Sequence, residues 1–249
     1  MQYHLQIIKG TESFVLEELK EKHSIVSIQK VGEEIIFTSD ETPESFSLIL
    51  SGLRITTEGS KNSLNLYRRE WRKEFVPAGI NPALAYILCK LAKITANDVI
   101  LDPFCGGGTI PITAALHFNP KQVIASDISG KAIDIAERNL ERANLKKIMV
   151  FRSDVSKLKL GAESVSKIIT NLPFGIREKT HDKNIEIYKH FAKAAQRILK
   201  PDGLIVVLTQ EITLLQEIFN TLGFKKVADF PIEQGGLKPH IYIYNKVVR

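Results

Sequence analysis

Five consecutive residues, Asn171-Leu172-Pro173-Phe174-Gly175, follow the apolar run SKIIT at 166–170. They are the residue types that a poor nitrogen nucleophile needs. The lone pair of an exocyclic or amide nitrogen is delocalised, so the nitrogen must be drawn toward tetrahedral geometry before it attacks. The side-chain oxygen of Asn171 and the backbone carbonyl of Leu172 can each accept one N–H. The lone pair is then free for in-line attack on a sulfonium methyl, a reaction driven by positioning and electrostatics without a covalent intermediate. Pro173 fixes the turn. Phe174 offers a face on which a base stacks, worth about 1–3 kcal/mol.

A second constellation lies upstream. Leu101-Asp102-Pro103-Phe104-Cys105-Gly106-Gly107-Gly108-Thr109 joins a predicted strand to a predicted helix. Glycines there allow positive φ and close approach of a ligand to the backbone, and the helix start offers free N–H groups to a carboxylate. The run is not a dinucleotide fingerprint, because Pro111 stands where its third glycine belongs, and no GK[ST] follows to make a phosphate loop. Asp127, at the end of the next strand, is placed to accept both hydroxyls of a ribose, with Ile128 beside it. Asp154, after the third strand, is placed to take an adenine amino group. The candidate cofactor set is therefore Asp102, Phe104, Gly106, Gly108, Thr109, Asp127, Ile128 and Asp154; the candidate catalytic set is Asn171, Leu172, Pro173 and Phe174. Cys105 lies in the cofactor loop rather than the strand-four motif, which argues for a structural thiol. The two cysteines stand far apart and the six histidines show no ligand spacing, so no metal is expected.

These residues must be carried by elements. From residue 82 onward helical periodicity alternates with short apolar runs: helices at 82–93, 109–117, 130–143, 185–199 and 212–221, strands at 98–102, 122–127, 148–152, 166–170, 203–209, 224–230 and 240–246. That alternation predicts an α/β, Rossmann-like fold with a mostly parallel sheet, whose ligands sit at the carboxyl ends of the strands. Residues 1–75 read differently. Strands at 3–8, 24–30 and 34–38, a helix at 11–22 capped by Thr11, a helix at 43–53 opened by Pro43, and a last strand within 54–76 suggest a small ferredoxin-like α+β domain with a connector. The expected domains are thus 1–75 and 76–249. The charge is uneven: 10 Lys/Arg against 12 Asp/Glu in 1–75, but 24 against 16 in the remainder. A basic catalytic domain suits a polyanion, and Arg68, Arg69, Arg72 and Lys73 form a cluster in the connector where an RNA backbone could cross. No apolar run reaches membrane-span length and the first residues lack a signal-peptide core, so a cytoplasmic protein is expected.

DPFCGGGTIPI at 102–112, SDI at 126–128, NLPFGIR at 171–177, GINPALAYILCKLA at 79–92 and QGGLKPHIYIY at 234–244 resemble the THUMP-associated RNA methylases, which include the tRNA guanine-N2 enzymes. The stretch IIKGTESFVLEELK at 7–20 resembles their N-terminal ferredoxin-like domain. The resemblance implies a seven-stranded sheet with an antiparallel last strand and S-adenosyl-L-methionine as cofactor. It also implies cofactor roles for Asp102, Gly106, Gly108, Asp127 and Asp154, and catalytic roles for Asn171 and Phe174. It implies an RNA partner, tRNA or ribosomal RNA, and methylation of guanine N2. Two departures stand out. Residues 54–76 leave no room for a THUMP domain, which in that family grips the tRNA acceptor end, so a second copy or an accessory protein is a possible substitute. Leu172 replaces a frequent proline, at a position that works through its carbonyl. Adenine N6 in RNA or DNA, a protein glutamine amide, and a non-catalytic RNA-binding role remain the alternatives.

Overall fold

The computed structural model describes residues 1–174 and 180–247. The chain builds two sheets. The first holds β1 (Gln2–Gln6), β2 (Ser27–Val31), β3 (Glu34–Thr38), β4 (Arg54–Thr57) and β5 (Ser63–Asn65), with α1 (Glu12–Lys22) packed on one side. Its order is β2-β3-β1-β4-β5, antiparallel wherever the strands pair. The first four strands have the expected ferredoxin-like arrangement; β5 extends it. Alternation along β1 and β3 turns Tyr3, Leu5, Ile35 and Phe37 inward, where Val15 and Leu19 of α1 meet them.

Two local expectations are corrected here. Residues 43–53 do not form an α-helix: only a short 3-10 helix, Pro43–Leu48, is present. The buried carboxylate of Glu18 accepts from the backbone N–H of Leu50 at 3.0 Å and of Ser51 at 2.9 Å. It thereby takes donors that a continuing helix would use. Thr11 does not cap α1 through its side chain; its hydroxyl donates to the Ile8 carbonyl at 2.6 Å.

The second sheet has seven strands in the order β11-β12-β10-β9-β6-β7-β8. They are β6 (Val99–Asp102), β7 (Gln122–Asp127), β8 (Ile148–Arg152), β9 (Val165–Asn171), β10 (Leu199–Thr209), β11 (Phe224–Pro231) and β12 (His240–Lys246). β6 to β10 run parallel, and β12 is antiparallel to both its neighbours. The helices α2 (Pro82–Leu91), α3 (Thr109–Phe118), α4 (Gly130–Arg142), α5 (Thr180–Ile198) and α6 (Ile212–Thr221) cover its faces. The central strands are apolar on both sides, as a sheet sandwiched between helices requires: Ile168 and Val207 face Tyr188 and Phe191 of α5, while Ile169, Val206 and Leu208 face Leu84 and Leu88 of α2. The boundaries expected for β7 and β8 coincide with those observed. Among the described residues no helix is long and apolar enough to cross a membrane.

The two sheets are fastened through a seam beside β11 and through Lys90 of α2, which pairs with Glu17 and Glu21 of α1 at 3.3 and 3.0 Å. Ile8 and Phe14 enter the core around α2, and the Phe14 ring meets Phe230 edge-on at 5.1 Å. Lys9 and Glu233 pair both through the backbone, at 2.9 Å, and through their side chains, at 2.9 Å. Gly10 makes the seam possible: its φ is +90°, and a Cβ there would collide with the Pro231 carbonyl oxygen.

Candidate active site

Strand order reverses around β6, which has β7 on one side and β9 on the other. An open α/β sheet leaves its crevice at such a point, on the carboxyl edge. Asp102 ends β6, Asp127 ends β7 and Asn171 ends β9, so the expected residues converge there.

The glycine-rich loop turns from β6 into α3. Gly108 stands as the N-cap at φ +82° with no side-chain cap, which leaves the first N–H groups of α3 to a ligand. The loop is pinned from several sides. Asp127 Oδ2 accepts from Gly106 N at 2.9 Å while its Oδ1 accepts from Ser129 N at 2.9 Å. The buried Asn139 of α4 donates to the Gly107 carbonyl at 3.0 Å. Asp102, 1% exposed, accepts from the Phe104 N–H at 3.1 Å and from the Thr170 hydroxyl at 2.6 Å. It ties the glycine-rich loop to the strand that carries Asn171. Burial pushes its carboxyl up to about 7, against the lowering effect of those two hydrogen bonds. The Cys105 thiol is buried and held well above its usual range by desolvation, which fits a structural role.

Beyond β7 and β8 the edge opens into a groove lined by Ile128, Phe151, Arg152, Ser153, Asp154 and Lys157. Ile128 is 61% exposed there, an apolar side chain without a cover. Asp154 Oδ1 accepts from both the backbone and the hydroxyl of Ser156 at 2.8 Å, capping a short 3-10 turn. Those hydrogen bonds lower its carboxyl, so it is ionised near neutrality.

The strand-four motif is equally constrained. Leu172 is buried and its N–H donates to Leu208 O at 3.0 Å. The Pro173 carbonyl accepts from Tyr188 Oη at 2.9 Å and from Asn184 Nδ2 at 3.0 Å, both on α5. Asn171 donates to the Ala78 carbonyl at 3.5 Å, while its Oδ1 is shielded from solvent and accepts from no described residue. Phe174 packs at the rim of the core around α2. Gly175, Ile176 and Arg177 of the motif lie outside the described residues.

Residues 71–78, read from the sequence only as part of a connector, form a strap that packs on α3, α4 and the glycine-rich loop. Trp71 packs between Ile112 and Leu140. Glu74 is fixed by Arg138 at 2.6 Å and Arg142 at 2.8 Å. Val76 lies over the loop, 3.2 Å from where a Cβ on Gly106 would be. The strap also divides the connector cluster. Arg72 is a bracket, donating to Thr109 Oγ1 at 3.2 Å and to the Ile80 carbonyl at 3.1 Å. Arg69 donates to the carbonyls of Leu66 and, at 3.2 Å, Leu50, and is half-buried. Only Arg68 and Lys73 of the four are exposed. The expectation that all four face a nucleic acid is therefore corrected.

The UPF0020 family model, described as an RMKL-like methyltransferase domain, matches residues 69–240. The chain belongs to this family. It is 26% identical over 250 residues to the tRNA (guanine(6)-N2)-methyltransferase of Thermus thermophilus, covering 96% of this chain and 74% of that one. It is 32% identical over 162 residues to the tRNA (guanine(10)-N2)-dimethyltransferase of Methanothermobacter thermautotrophicus, covering 65% of this chain and 47% of that one. The chain thus spans three quarters of one relative and under half of the other. In fold it superposes on TrmN from Thermus thermophilus with a TM-score of 0.87 at 19% identity, over 99% of both chains. The seven-stranded sheet and the antiparallel sheet before it are accordingly those of known methyltransferase structures.

Proposed function

We propose that this methyltransferase domain transfers the methyl group of S-adenosyl-L-methionine to N2 of a guanine in RNA. The observation that carries the reading is the unspent acceptor at Asn171. A buried carbonyl oxygen without a donor costs about 1–3 kcal/mol, and this one lies at the carboxyl edge of the sheet beside a glycine-rich helix start. An amine N–H satisfies it.

The residues present fit the cofactor. The free N–H groups of α3 suit a carboxylate, the carboxylate of Asp127 keeps lone pairs for ribose hydroxyls, and the exposed Ile128 with Asp154 suits an adenine ring and its amino group. When bound, S-adenosyl-L-methionine supplies an electrophilic methyl on a sulfonium. The chain does the rest by placement. Asn171 Oδ1 and the Leu172 carbonyl draw the amine out of conjugation. Tyr188 and Asn184 hold the Pro173 carbonyl, so the Leu172 carbonyl keeps its aim. Phe174 supplies a stacking face, and a base in a duplex must leave its stack to reach it.

Guanine is favoured over adenine by the names of the relatives, two guanine-N2 enzymes acting on tRNA. The reading keeps two domains, 1–75 ahead of 76–249, an arrangement that the presence of two separate sheets supports, and Arg68 and Lys73 stand exposed near the junction to meet phosphates. Among the described residues no group of His, Cys, Asp and Glu is arranged to hold a metal, and no step above asks for one. The partner is RNA in the cytoplasm, gripped together with a second copy or an accessory protein. Methyl-labelled cofactor offered with total RNA, DNA and protein tests the reading. Label should enter RNA, and label confined to protein would overturn it.

A further inference from the structure

Asn171 is not the only carboxamide on the carboxyl edge with an unspent oxygen. The Oε1 atom of Gln210 is also shielded from solvent and accepts from no described residue. Gln210 follows directly on β10. In the parallel pairing of β10 with β9, Leu208 stands opposite Asn171, so Gln210 lies two residues past that register point on the adjacent strand. The alternation of β10, carried one residue past its end, points Gln210 to the side of Asn171: Val206 and Leu208 share the α2 core with Ile169, whereas Val207 belongs to the α5 core. Phe174 packs at the rim of the α2 core as well. The backbone on either side of Gln210 is fixed. Thr209 Oγ1 is 2.6 Å from Tyr188 Oη and accepts from Glu211 N at 2.9 Å. The Glu211 carboxylate accepts from Asn184 at 3.1 Å. The side-chain carbonyl between these anchors is left without a donor among the described residues.

Two buried acceptors at the carboxyl ends of adjacent strands, with Phe174 on the same side of the sheet, match a base edge that offers adjacent donors. Guanine presents N1–H next to its N2 amine. Adenine presents a ring nitrogen acceptor next to its amine, which would oppose a carbonyl oxygen. We infer that Gln210 is a specificity-determining residue, its Oε1 accepting the N1–H of the guanine whose N2 amine is held by Asn171. The inference rests on the guanine-N2 reading above and adds to it the group that reads the base.

The test uses a synthetic RNA hairpin whose single target nucleotide is guanine or 2-aminopurine. The analogue keeps the N2 amine but lacks N1–H. Single-turnover rates on both RNAs are measured with one preparation of enzyme, so the ratio does not depend on the folded fraction. The wild type should prefer guanine by about tenfold or more, as expected when a buried acceptor loses its donor. Gln210→Met, close in length and without an oxygen, should lose the guanine rate and bring the ratio toward unity. Gln210→Glu, which keeps an acceptor, should retain the preference, and Gln210→Asn, which draws the oxygen back, should weaken it. An unchanged ratio in both Gln210→Met and Gln210→Asn would overturn the role of Gln210 while leaving guanine-N2 methylation standing. No N2 methylation of either hairpin by the wild type would instead overturn the reading beneath it.

Discussion

Asn171 and Asp127 separate the two halves of the chemistry. Asn171→Ala should reduce methyl transfer by about 10²–10³-fold, the scale of losing one polarising contact in a preorganised site. Calorimetry should find its affinity for S-adenosylhomocysteine nearly unchanged; near-normal turnover would contradict the assigned role. Asp127→Ala should do the opposite and weaken that affinity by about 1–3 kcal/mol. Asp102 gives a pH signature. Its carboxyl titrates near 7 in the folded protein, against 3.8 as the ordinary value. The native state therefore holds a proton that the unfolded chain has released, and stability falls as pH rises from about 4 to about 7. Asp102→Asn, which can still accept from Thr170, should remove this loss. Its urea midpoint relative to wild type should be higher at pH 8 than at pH 5, and an equal difference at both would refute the buried titration. The site residues at strand ends were legible in the sequence because each sits in a local pattern of apolar run, turn and glycine or aspartate. Gln210, Tyr188 and Asn139 were not. Their importance comes from partners 15 and 32 residues away or from the register with another strand, which no local pattern encodes.

Elements hold these groups in place, and the lever with most reach is α5 against the strand-four turn. Tyr188 and Asn184 share one carbonyl, that of Pro173, and Tyr188 also reaches Thr209 on β10. Tyr188→Phe removes two contacts without changing the packing volume. Single-turnover rates should drop about tenfold or more, since small misplacements of reacting groups are costly, while cofactor affinity stays level. A rate equal to wild type would show that the turn is rigid without them. Helices and strands of the larger sheet were legible from periodicity, because strands covered on both faces read as unbroken apolar runs between amphipathic helices. The strap at 71–78 was not, since its order derives from tertiary contacts of Trp71, Glu74 and Val76 rather than from any repeat. The lost helix after Pro43 has the same origin: a distant carboxylate, Glu18, competes for the backbone.

At the scale of the molecule, the antiparallel sheet is docked through the Phe14–Phe230 contact and the Lys9–Glu233 pair. Exposed Arg68 and Lys73 follow it. Charge reversal at these two positions should weaken RNA binding and flatten its dependence on salt, by about one unit of slope per lost phosphate contact, and leave cofactor binding alone. The same loss of affinity at every salt concentration would argue that the pair does not meet phosphates. The central claim is the identity of the methylated atom. Purified protein is incubated with total RNA and methyl-labelled S-adenosyl-L-methionine, and the RNA is digested to nucleosides and separated. The label should run as N2-methylguanosine; label running as N6-methyladenosine would contradict the account.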